Sequence, residues 1–293
     1  MRIVITGADG QLGWELRLAL SGRAEVVGLD LPAFDICHAD CSETLAAQRP
    51  DWVIHAAAMT DVDGCEREPG RAAAVNTEGT RRVAESCRAT GAGLVYLSTD
   101  FVFDGRKSVP YIEDDVPAPL SVYGQSKLMG EAAVRAVAPR WAIVRTAWLF
   151  GVHGKNFVKA MVQKAAAGEA LRVVDDQTGS PTYARDLAAA VADLVHRGLG
   201  GVFHLTNGGS CSWFMFARAI LRASGFPEAP IVPITSEELN RPARRPTYSV
   251  LDRNAWVRAG GEGLRPWPAA LEAMLTAWRE AGATAVPPFP QRP

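Results

Sequence analysis

The chain has 293 residues, of which 48% are hydrophobic and 22% are charged. These proportions are ordinary for a globular protein with a sizeable core, and the length allows one large domain or two modest ones. The 31 basic side chains nearly balance the 32 acidic ones, for a net charge of −1. Because a broad basic face is what binds nucleic acid or an anionic membrane, neither partner is expected.

Five cysteines are scattered along the chain, and their odd number does not resemble a disulfide framework. Cys37, His38 and Cys41 are the one cluster with metal-ligand character, and no second ligand pair follows, so we predict no metal site there. The first residues do not resemble a signal peptide, and no apolar run reaches the roughly 20 residues that a transmembrane helix needs. A cytoplasmic location is therefore expected.

Short apolar runs alternate with helix-period segments through the first half of the chain. The first helical segment carries Leu12, Leu16 and Leu20, which are four apart and fall on one face. Continuous apolar strands separated by such helices predict an α/β fold: a doubly wound parallel sheet of the Rossmann type, covered on both faces. The predicted strands are residues 3–6, 26–30, 52–55, 94–98, 142–145 and 202–205.

After about residue 150 the alternation loosens, and proline-containing loops occur near residues 179–181 and 242–246. We predict a dinucleotide-binding domain over residues 1–150, to which residues 182–210 return. Residues 151–181 and 211–293 are predicted to form a smaller, partly interleaved C-terminal lobe that binds substrate. The proline-rich residues 287–290 are predicted to be a poorly ordered tail.

Three glycines lie between the first predicted strand and the first predicted helix: Gly7, Gly10 and Gly13. The first permits a tight turn, the second lets the backbone approach a pyrophosphate, and the third allows the helix to pack closely on the strand. Their strand–turn–helix context predicts a dinucleotide site, although the spacing is G-x-x-G-x-x-G rather than G-x-G-x-x-G. A tight turn without a ligand is the alternative.

Asp30 ends the second predicted strand, where a carboxylate can accept hydrogen bonds from the adenosine ribose of a cofactor. The same charge would repel the 2′-phosphate of NADP, and Leu31-Pro32 supplies no adjacent cation, so NAD(H) is favoured. A solvated aspartate at a strand end is the alternative reading. Asp35 and Ile36 follow where an adenine-binding loop is expected.

Tyr123 and Lys127 are four residues apart and therefore neighbours on one face of a helix, although such pairs also occur by chance. A carbonyl reductase needs a proton donor beside the oxygen that becomes an alcohol. A nearby ammonium favours a phenolate, so Lys127 is expected to lower the pKa of Tyr123 from its usual value of roughly 10. Thr99, at the carboxyl end of a predicted strand, could donate to the same carbonyl oxygen, or it could cap a turn.

Together these residues resemble the extended short-chain dehydrogenase/reductases. Longer strings are similar to the dTDP-4-dehydrorhamnose reductases in particular, and the likeness extends from residue 1 to at least residue 251. The strings are residues 98–105 (STDFVFDG), 123–131 (YGQSKLMGE), 145–148 (RTAW), 176–182 (DQTGSPT) and 243–251 (ARRPTYSVL).

The resemblance implies reduction of the 4-keto group of dTDP-4-dehydro-β-L-rhamnose with NADH or NADPH. Tyr123 would donate the proton, Lys127 would assist it and hold the nicotinamide ribose, and Thr99 would orient the ketone. The other residues implied for the cofactor are Gly7, Gly10, Gln11, Leu12, Gly13, Asp30, Asp35, Ile36, Ala58, Met59 and Thr60. Those implied for the substrate are Thr99, Asp100, Trp148, Arg244 and Arg245.

Several of these assignments have alternatives. Trp148 could be a core residue, and Arg244 and Arg245 could form a solvated loop rather than bind a diphosphate. Met59 stands where related sequences often have an aromatic residue or histidine, which weakens only its cofactor role. Some members of the family bind Mg²⁺ at a dimer contact; no residue here is assigned as a metal ligand, and a homodimer remains open.

Two other functions are compatible with parts of the pattern. A nucleotide-sugar dehydratase or epimerase shares the glycine turn and the tyrosine–lysine pair, but a dehydratase has a glutamate after the aspartate, where this chain has Phe101. A non-catalytic subunit resembling the regulatory subunit of methionine adenosyltransferase is the other alternative. The intact set of Thr99, Tyr123 and Lys127 disfavours it.

Overall fold

A computed structural model describes residues 1–282 of the chain, so the predicted tail at 287–290 lies outside the described residues. The strands in chain order are β1 (Arg2–Thr6), β2 (Glu25–Leu29), β3 (Trp52–His55), β4 (Gly93–Thr99), β5 (Arg140–Thr146), β6 (Leu149–Phe150), β7 (Leu171–Val174), β8 (Thr178–Gly179), β9 (Thr182–Tyr183), β10 (Gly201–His204), β11 (Cys211–Ser212) and β12 (Ile231–Ile234).

The helices in chain order are α1 (Gln11–Leu20), α2 (Cys41–Ala47), α3 (Val62–Arg67), α4 (Pro69–Ala73), α5 (Thr80–Thr90), α6 (Val122–Val137), α7 (Phe157–Ala166), α8 (Ala184–Arg197), α9 (Trp213–Ala223), α10 (Ser236–Leu239), α11 (Asn254–Arg258) and α12 (Trp267–Glu280). A π-helical segment, Ala74–Gly79, joins α4 to α5, and a 3₁₀ turn, Asp100–Val102, follows β4.

All six predicted strands form, and they join in one sheet with the order β10-β5-β4-β3-β1-β2. Every pairing in this sheet is parallel. The prediction of a doubly wound parallel sheet is therefore confirmed. The strand order reverses at β1, because the chain runs outward to β2 and then crosses back through β3, β4 and β5. Ligand crevices in such sheets open at the carboxyl ends of the strands near this point.

Helices cover both faces of the sheet, which explains why the strands are apolar throughout. Successive side chains of a strand point to opposite faces. Ile3 and Ile5 of β1 accordingly pack in one cluster with residues of α1 and α8, whereas Val4 between them packs in another with residues of α2 and α5. Leu12, Leu16 and Leu20 of α1 are all buried in the first cluster, as their spacing predicts.

A third apolar cluster lies apart from the two faces of the sheet and is built from α7, α9, α12 and short strands. Its strands pair two by two, as β7 with β12, β8 with β11 and β6 with β9. Between the segments that supply this cluster, α8 packs against α1 and β10 pairs with β5. The precise bounds of the two lobes stay a prediction.

Candidate active site

The carboxyl ends of the central strands open on a cavity of about 1010 Å³. A volume of this size is at the upper end for ligand pockets. The structure brings most of the predicted residues to its walls. They are Gly7, Gly10, Gln11, Leu12, Gly13, Asp30, Asp35, Ile36, Ala58, Thr60, Thr99, Asp100, Tyr123, Lys127, Trp148 and Arg245. Met59 and Arg244 are not among the lining residues.

The glycine turn is a cradle in which side chains have no room. Gly7 has a φ of +72°, and a Cβ there would lie 2.6 Å from the backbone nitrogen of Ala57. A Cβ on Gly13 would lie 2.2 Å from the carbonyl oxygen of Gly7. Gly10 precedes α1 without a side-chain cap, so the first N–H groups of that helix are left to other partners. This arrangement fits a pyrophosphate.

Asp30 is tied to the same turn. Its Oδ2 accepts the amide of Asp9 at 2.7 Å, and its Oδ1 accepts the amide of Leu31 at 2.8 Å. The structure adds a cation that a search of the neighbouring residues misses: Arg17 of α1 pairs with Asp9 at 3.1 Å. Its Nη1 would lie 3.8 Å from a Cβ placed on Gly28 of β2. A guanidinium therefore lies near β2, the strand that ends just before Asp30.

The wall beside the cofactor region is held by Asn76, which the sequence analysis missed. Asn76 is buried in the π-helical segment; its Oδ1 accepts the amide of Met59 at 2.8 Å, and its Nδ2 donates to the carbonyl of Met59 at 3.0 Å. Nδ2 also donates to Ser126 Oγ at 3.0 Å. Asn76 therefore fixes the backbone of Met59 between the lining residues Ala58 and Thr60, although Met59 itself does not line the cavity.

Thr99, Tyr123 and Lys127 meet beside the carboxyl end of β4. Ser121 caps α6, accepting the amide of Gly124 at 3.2 Å, and thereby starts the helix just before Tyr123. Thr99 and Tyr123 both line the cavity, and the hydroxyl of Thr99 donates to Asp100 Oδ1 at 3.1 Å. Thr99 also caps the 3₁₀ turn, accepting the amide of Phe101 at 3.2 Å. The turn-capping alternative for Thr99 is therefore observed, and its role toward a ketone stays a prediction.

The net shift of the tyrosine pKa is opposite to the lowering predicted from Lys127. Burial raises the pKa of Tyr123 well above its usual value, while the nearby Thr99 hydroxyl lowers it and the charge of Asp100 raises it. The physical reason is desolvation, since an anion in this crevice loses more hydration than a neighbouring charge restores. At neutral pH Tyr123 is a protonated phenol, which is the form that donates a proton.

Lys127 is buried as well, with 3% of its surface exposed. Burial lowers the pKa of Lys127 to about 7, while the charge of Glu131 raises it. The ammonium lies 4.2 Å from the ring centroid of Tyr96. Burial also raises the pKa of Asp100 to about 6.

An aromatic wall closes the other end of the cavity. Trp148 has a φ of +46°, which is rare for a bulky residue, and its ring stacks on Trp213 with centroids 3.7 Å apart. A Cβ on Gly179 would lie 2.4 Å from the Trp148 ring, so that position has no room for a side chain. Phe157 packs edge-on against Trp213. Trp213 could not be predicted from the sequence, because no feature near it in the chain connects it with Trp148.

Arg245 lines the cavity, but its guanidinium is paired with Asp63 of α3. Nη1 and Nη2 of Arg245 lie 3.1 and 3.0 Å from the two carboxylate oxygens, and Arg241 lies 3.0 Å from the same group. Burial would raise the pKa of Asp63, yet the hydrogen bonds from Arg245 and Arg241 lower it to about 2. Arg244 is exposed. The structure therefore does not bring Arg244 and Arg245 together as a pair at the cavity.

Within residues 1–282, no group of three or more histidine, cysteine, aspartate or glutamate side chains is placed to hold a metal ion. All five cysteines are free. Over the same residues, none of the helices combines the length and the apolar character that crossing a membrane requires.

Comparison with known proteins places this geometry in context. The family model described as RmlD substrate binding domain matches residues 1–280. A dTDP-4-dehydrorhamnose reductase from Streptomyces griseus is 46% identical over 278 residues, covering 92% of this chain and 91% of that protein. A crystal structure of a dTDP-4-dehydrorhamnose reductase from Clostridium acetobutylicum matches with a TM-score of 0.92 and 40% identity, over 95% of this chain and 100% of the other. The Bacillus anthracis enzyme of the same name, solved in complex with NADP, matches with a TM-score of 0.91 and 38% identity over 94% and 99%.

Proposed function

Since the chain belongs to the RmlD substrate binding domain family, we propose that it reduces the 4-keto group of dTDP-4-dehydro-β-L-rhamnose to give dTDP-β-L-rhamnose, using NADH or NADPH. The observation that carries this proposal is that Thr99, Tyr123 and Lys127 line one cavity at the carboxyl end of β4, with Lys127 one helical turn after Tyr123 on α6. That crevice is continuous with the glycine cradle.

The cofactor, when bound, supplies the hydride that adds to the ketone carbon. Tyr123 gives its phenolic proton to the ketone oxygen, so that hydride and proton together convert C=O into CH–OH. Thr99 orients the ketone and stabilises charge on its oxygen. Lys127 supports the tyrosinate that remains, and the first amides of α1 hold the pyrophosphate. Because the pKa of Tyr123 is high, the tyrosinate formed in the step is readily reprotonated.

The residues that we propose to bind substrate also line the cavity. We propose that Asp100 and Trp148 contact the sugar, because both line the cavity beside Thr99. For Arg245 to contact the substrate diphosphate, its pairing with Asp63 must be shared or exchanged. A cytoplasmic location and a homodimeric assembly are further parts of the proposal; they rest on the scattered, free cysteines and on the family resemblance.

The test is a panel of 4-keto-6-deoxysugar nucleotides that vary in base and in C5 stereochemistry, with NADH or NADPH consumption followed by absorbance. Consumption with the dTDP-β-L-rhamnose precursor is expected. A pure binding subunit would leave the absorbance flat. A dehydratase, which acts on a sugar alcohol rather than on a ketone, would consume no added cofactor in net terms. The variant Tyr123→Phe lacks the transferable proton and should lose orders of magnitude in turnover while binding cofactor nearly as before.

A further inference from the structure

A buried cluster of charged side chains lies next to the crevice, and the proposed reaction does not use it. Glu131 and Arg145 are each 1% exposed, and Arg145 donates to both carboxylate oxygens, from Nε at 2.9 Å and from Nη2 at 2.8 Å. Ser98, the residue before Thr99, donates to Glu131 Oε1 at 2.6 Å. Arg135 reaches Glu131 Oε2 at 3.4 Å from the surface.

The cluster connects α6 to β4 and β5 near the strand ends that open on the crevice. Ser98 of β4 is in register with Arg145 of β5, and Arg145 is in register with His204 of β10. Thr99 is one residue further along β4. An inward-facing carboxylate on α6 therefore holds the helix that carries Tyr123 against the strand that carries Thr99.

Helical spacing places the same carboxylate next to the site lysine. Tyr123, Lys127 and Glu131 follow one another at intervals of four residues, so they share one face of α6, and side chains four apart have Cβ atoms about 6 Å apart. The other groups facing Lys127 are the ring of Tyr96 on β4 and the imidazole of His55 on β3. Burial lowers the pKa of His55 to about 3, so it is neutral. Glu131 is the carboxylate that acts on Lys127.

We propose that Glu131 is a positioning residue of the reductase: its charge favours the protonated form of the buried Lys127 and, through Ser98 and Arg145, it holds Tyr123 in register with Thr99. The inference rests on the proposed function for its kinetic consequences. Its electrostatic part does not, because the charge of Lys127 is measurable without substrate.

The sign of the effect follows from the geometry. An anion beside a buried ammonium favours the charged form, and burial opposes it. Glu131→Gln removes the anion and keeps the size, so the pKa of Lys127 should fall further below its present value of about 7. At an effective dielectric constant of about 20, a unit charge roughly 6 to 10 Å away shifts a pKa by roughly one to two pH units. The limb on which kcat/KM falls as pH rises should therefore move toward acid, whereas activity well below this limb should be nearly retained.

Glu131→Gln leaves Arg145 without its carboxylate, and a buried unpaired cation is strongly destabilising. The double variant Glu131→Gln with Arg145→Met removes both charges at similar volume and keeps the test open should the single variant not fold. Glu15→Gln is the matched control: Glu15 is also 1% exposed and is paired with an arginine, Arg185, at 3.1 Å, but it does not act on Lys127. The control should lose stability and leave the limb in place.

The experiment records two quantities for wild type and each variant: the pH profile of NADPH oxidation with substrate, and the NMR titration of the Lys127 side chain in the NADP-bound protein, assigned with Lys127→Arg. An acid shift of both in the folded Glu131 variants, with none in Glu15→Gln, supports the proposal. A folded Glu131 variant, single or double, whose Lys127 titrates as in wild type overturns it. Wild-type protein that oxidises neither NADH nor NADPH with the substrate refutes the proposed function, while the titration still decides the role of Glu131.

Discussion

Asp63 offers a test of how the loop at the cavity is held. Asp63→Asn should destabilise the folded protein, because the aspartate ties α3 to the segment of residues 241–245. Its carboxylate receives Arg245 at two atoms, Arg241 and the amide of Ala243. The asparagine keeps the shape and one acceptor oxygen but loses the charge, so the two guanidinium groups lose their anion.

The magnitude follows from the pKa of Asp63, which the hydrogen bonds lower from 3.8 to about 2 despite burial. At about 1.4 kcal/mol per pH unit this corresponds to about 2 kcal/mol of folding free energy at neutral pH. Arg241 is half exposed, so solvent screens its share and the loss should lie between about 1 and 2.5 kcal/mol. The melting temperature should fall by roughly 3 to 6 °C.

The pH dependence supplies the sharper criterion. A carboxyl whose folded pKa lies below its unfolded value contributes its full stability above the unfolded value, and it loses that contribution as pH falls toward the folded value. The difference between wild type and Asp63→Asn should therefore be constant from neutral pH down to about pH 5 and shrink below the unfolded pKa near 4.

The assay is thermal unfolding followed by tryptophan fluorescence across this range. The control is Asp193→Asn, since Asp193 pairs with Arg197 at 3.1 Å on the surface of α8, where an ion pair contributes about 0.5 kcal/mol. Equal melting temperatures for wild type and Asp63→Asn at neutral pH would refute the reasoning. So would a difference that persists unchanged on acidification.

Three further changes test the cavity. Gly13→Ala places a Cβ 2.2 Å from the carbonyl oxygen of Gly7, so cofactor affinity should fall at least about tenfold. The control Gly70→Ala, with nothing within 4 Å, should leave the affinity unchanged. Equal Kd values for both variants by fluorescence titration would contradict cofactor binding at the glycine turn. Asp30→Asn keeps an acceptor for the turn but removes the charge that repels a 2′-phosphate, so the ratio of Kd for NADH to Kd for NADPH should rise. An unchanged ratio would exclude a role for Asp30 in cofactor choice. Trp213→Ala removes the partner of Trp148 and should raise KM for the sugar nucleotide several-fold with a smaller change in kcat; an unaltered KM would make the stack purely structural.

Predictions that depend on a few neighbouring residues hold. The six strands form where apolar runs predict them, and each is within two residues of its expected bounds at either end. The glycine turn, the helix face of Leu12, Leu16 and Leu20, and the pairing of Tyr123 with Lys127 on α6 follow from backbone geometry, which the spacing of residues expresses directly. The sequence strings shared with the reductase family then extend these local predictions to the reaction.

Contacts between distant segments could not be read from the sequence. Asp63 and Arg245 are 182 residues apart, and the pairing that engages Arg245 exists because the fold lays the loop at 241–245 against α3. Arg17 of α1 lies beside Gly28 of β2 because the fold packs this helix near that strand. Asn76 and Trp213 likewise acquire partners only from elements far along the chain.

The charge states of the site are the clearest case of this division. The sequence determines that a phenol and an ammonium lie one helical turn apart, since that is a property of a single helix. Whether the pKa of Tyr123 falls or rises depends on how much water the surrounding elements exclude, and burial raises it well above its usual value. Solvation is a property of everything packed around a group, so only the tertiary structure decides it.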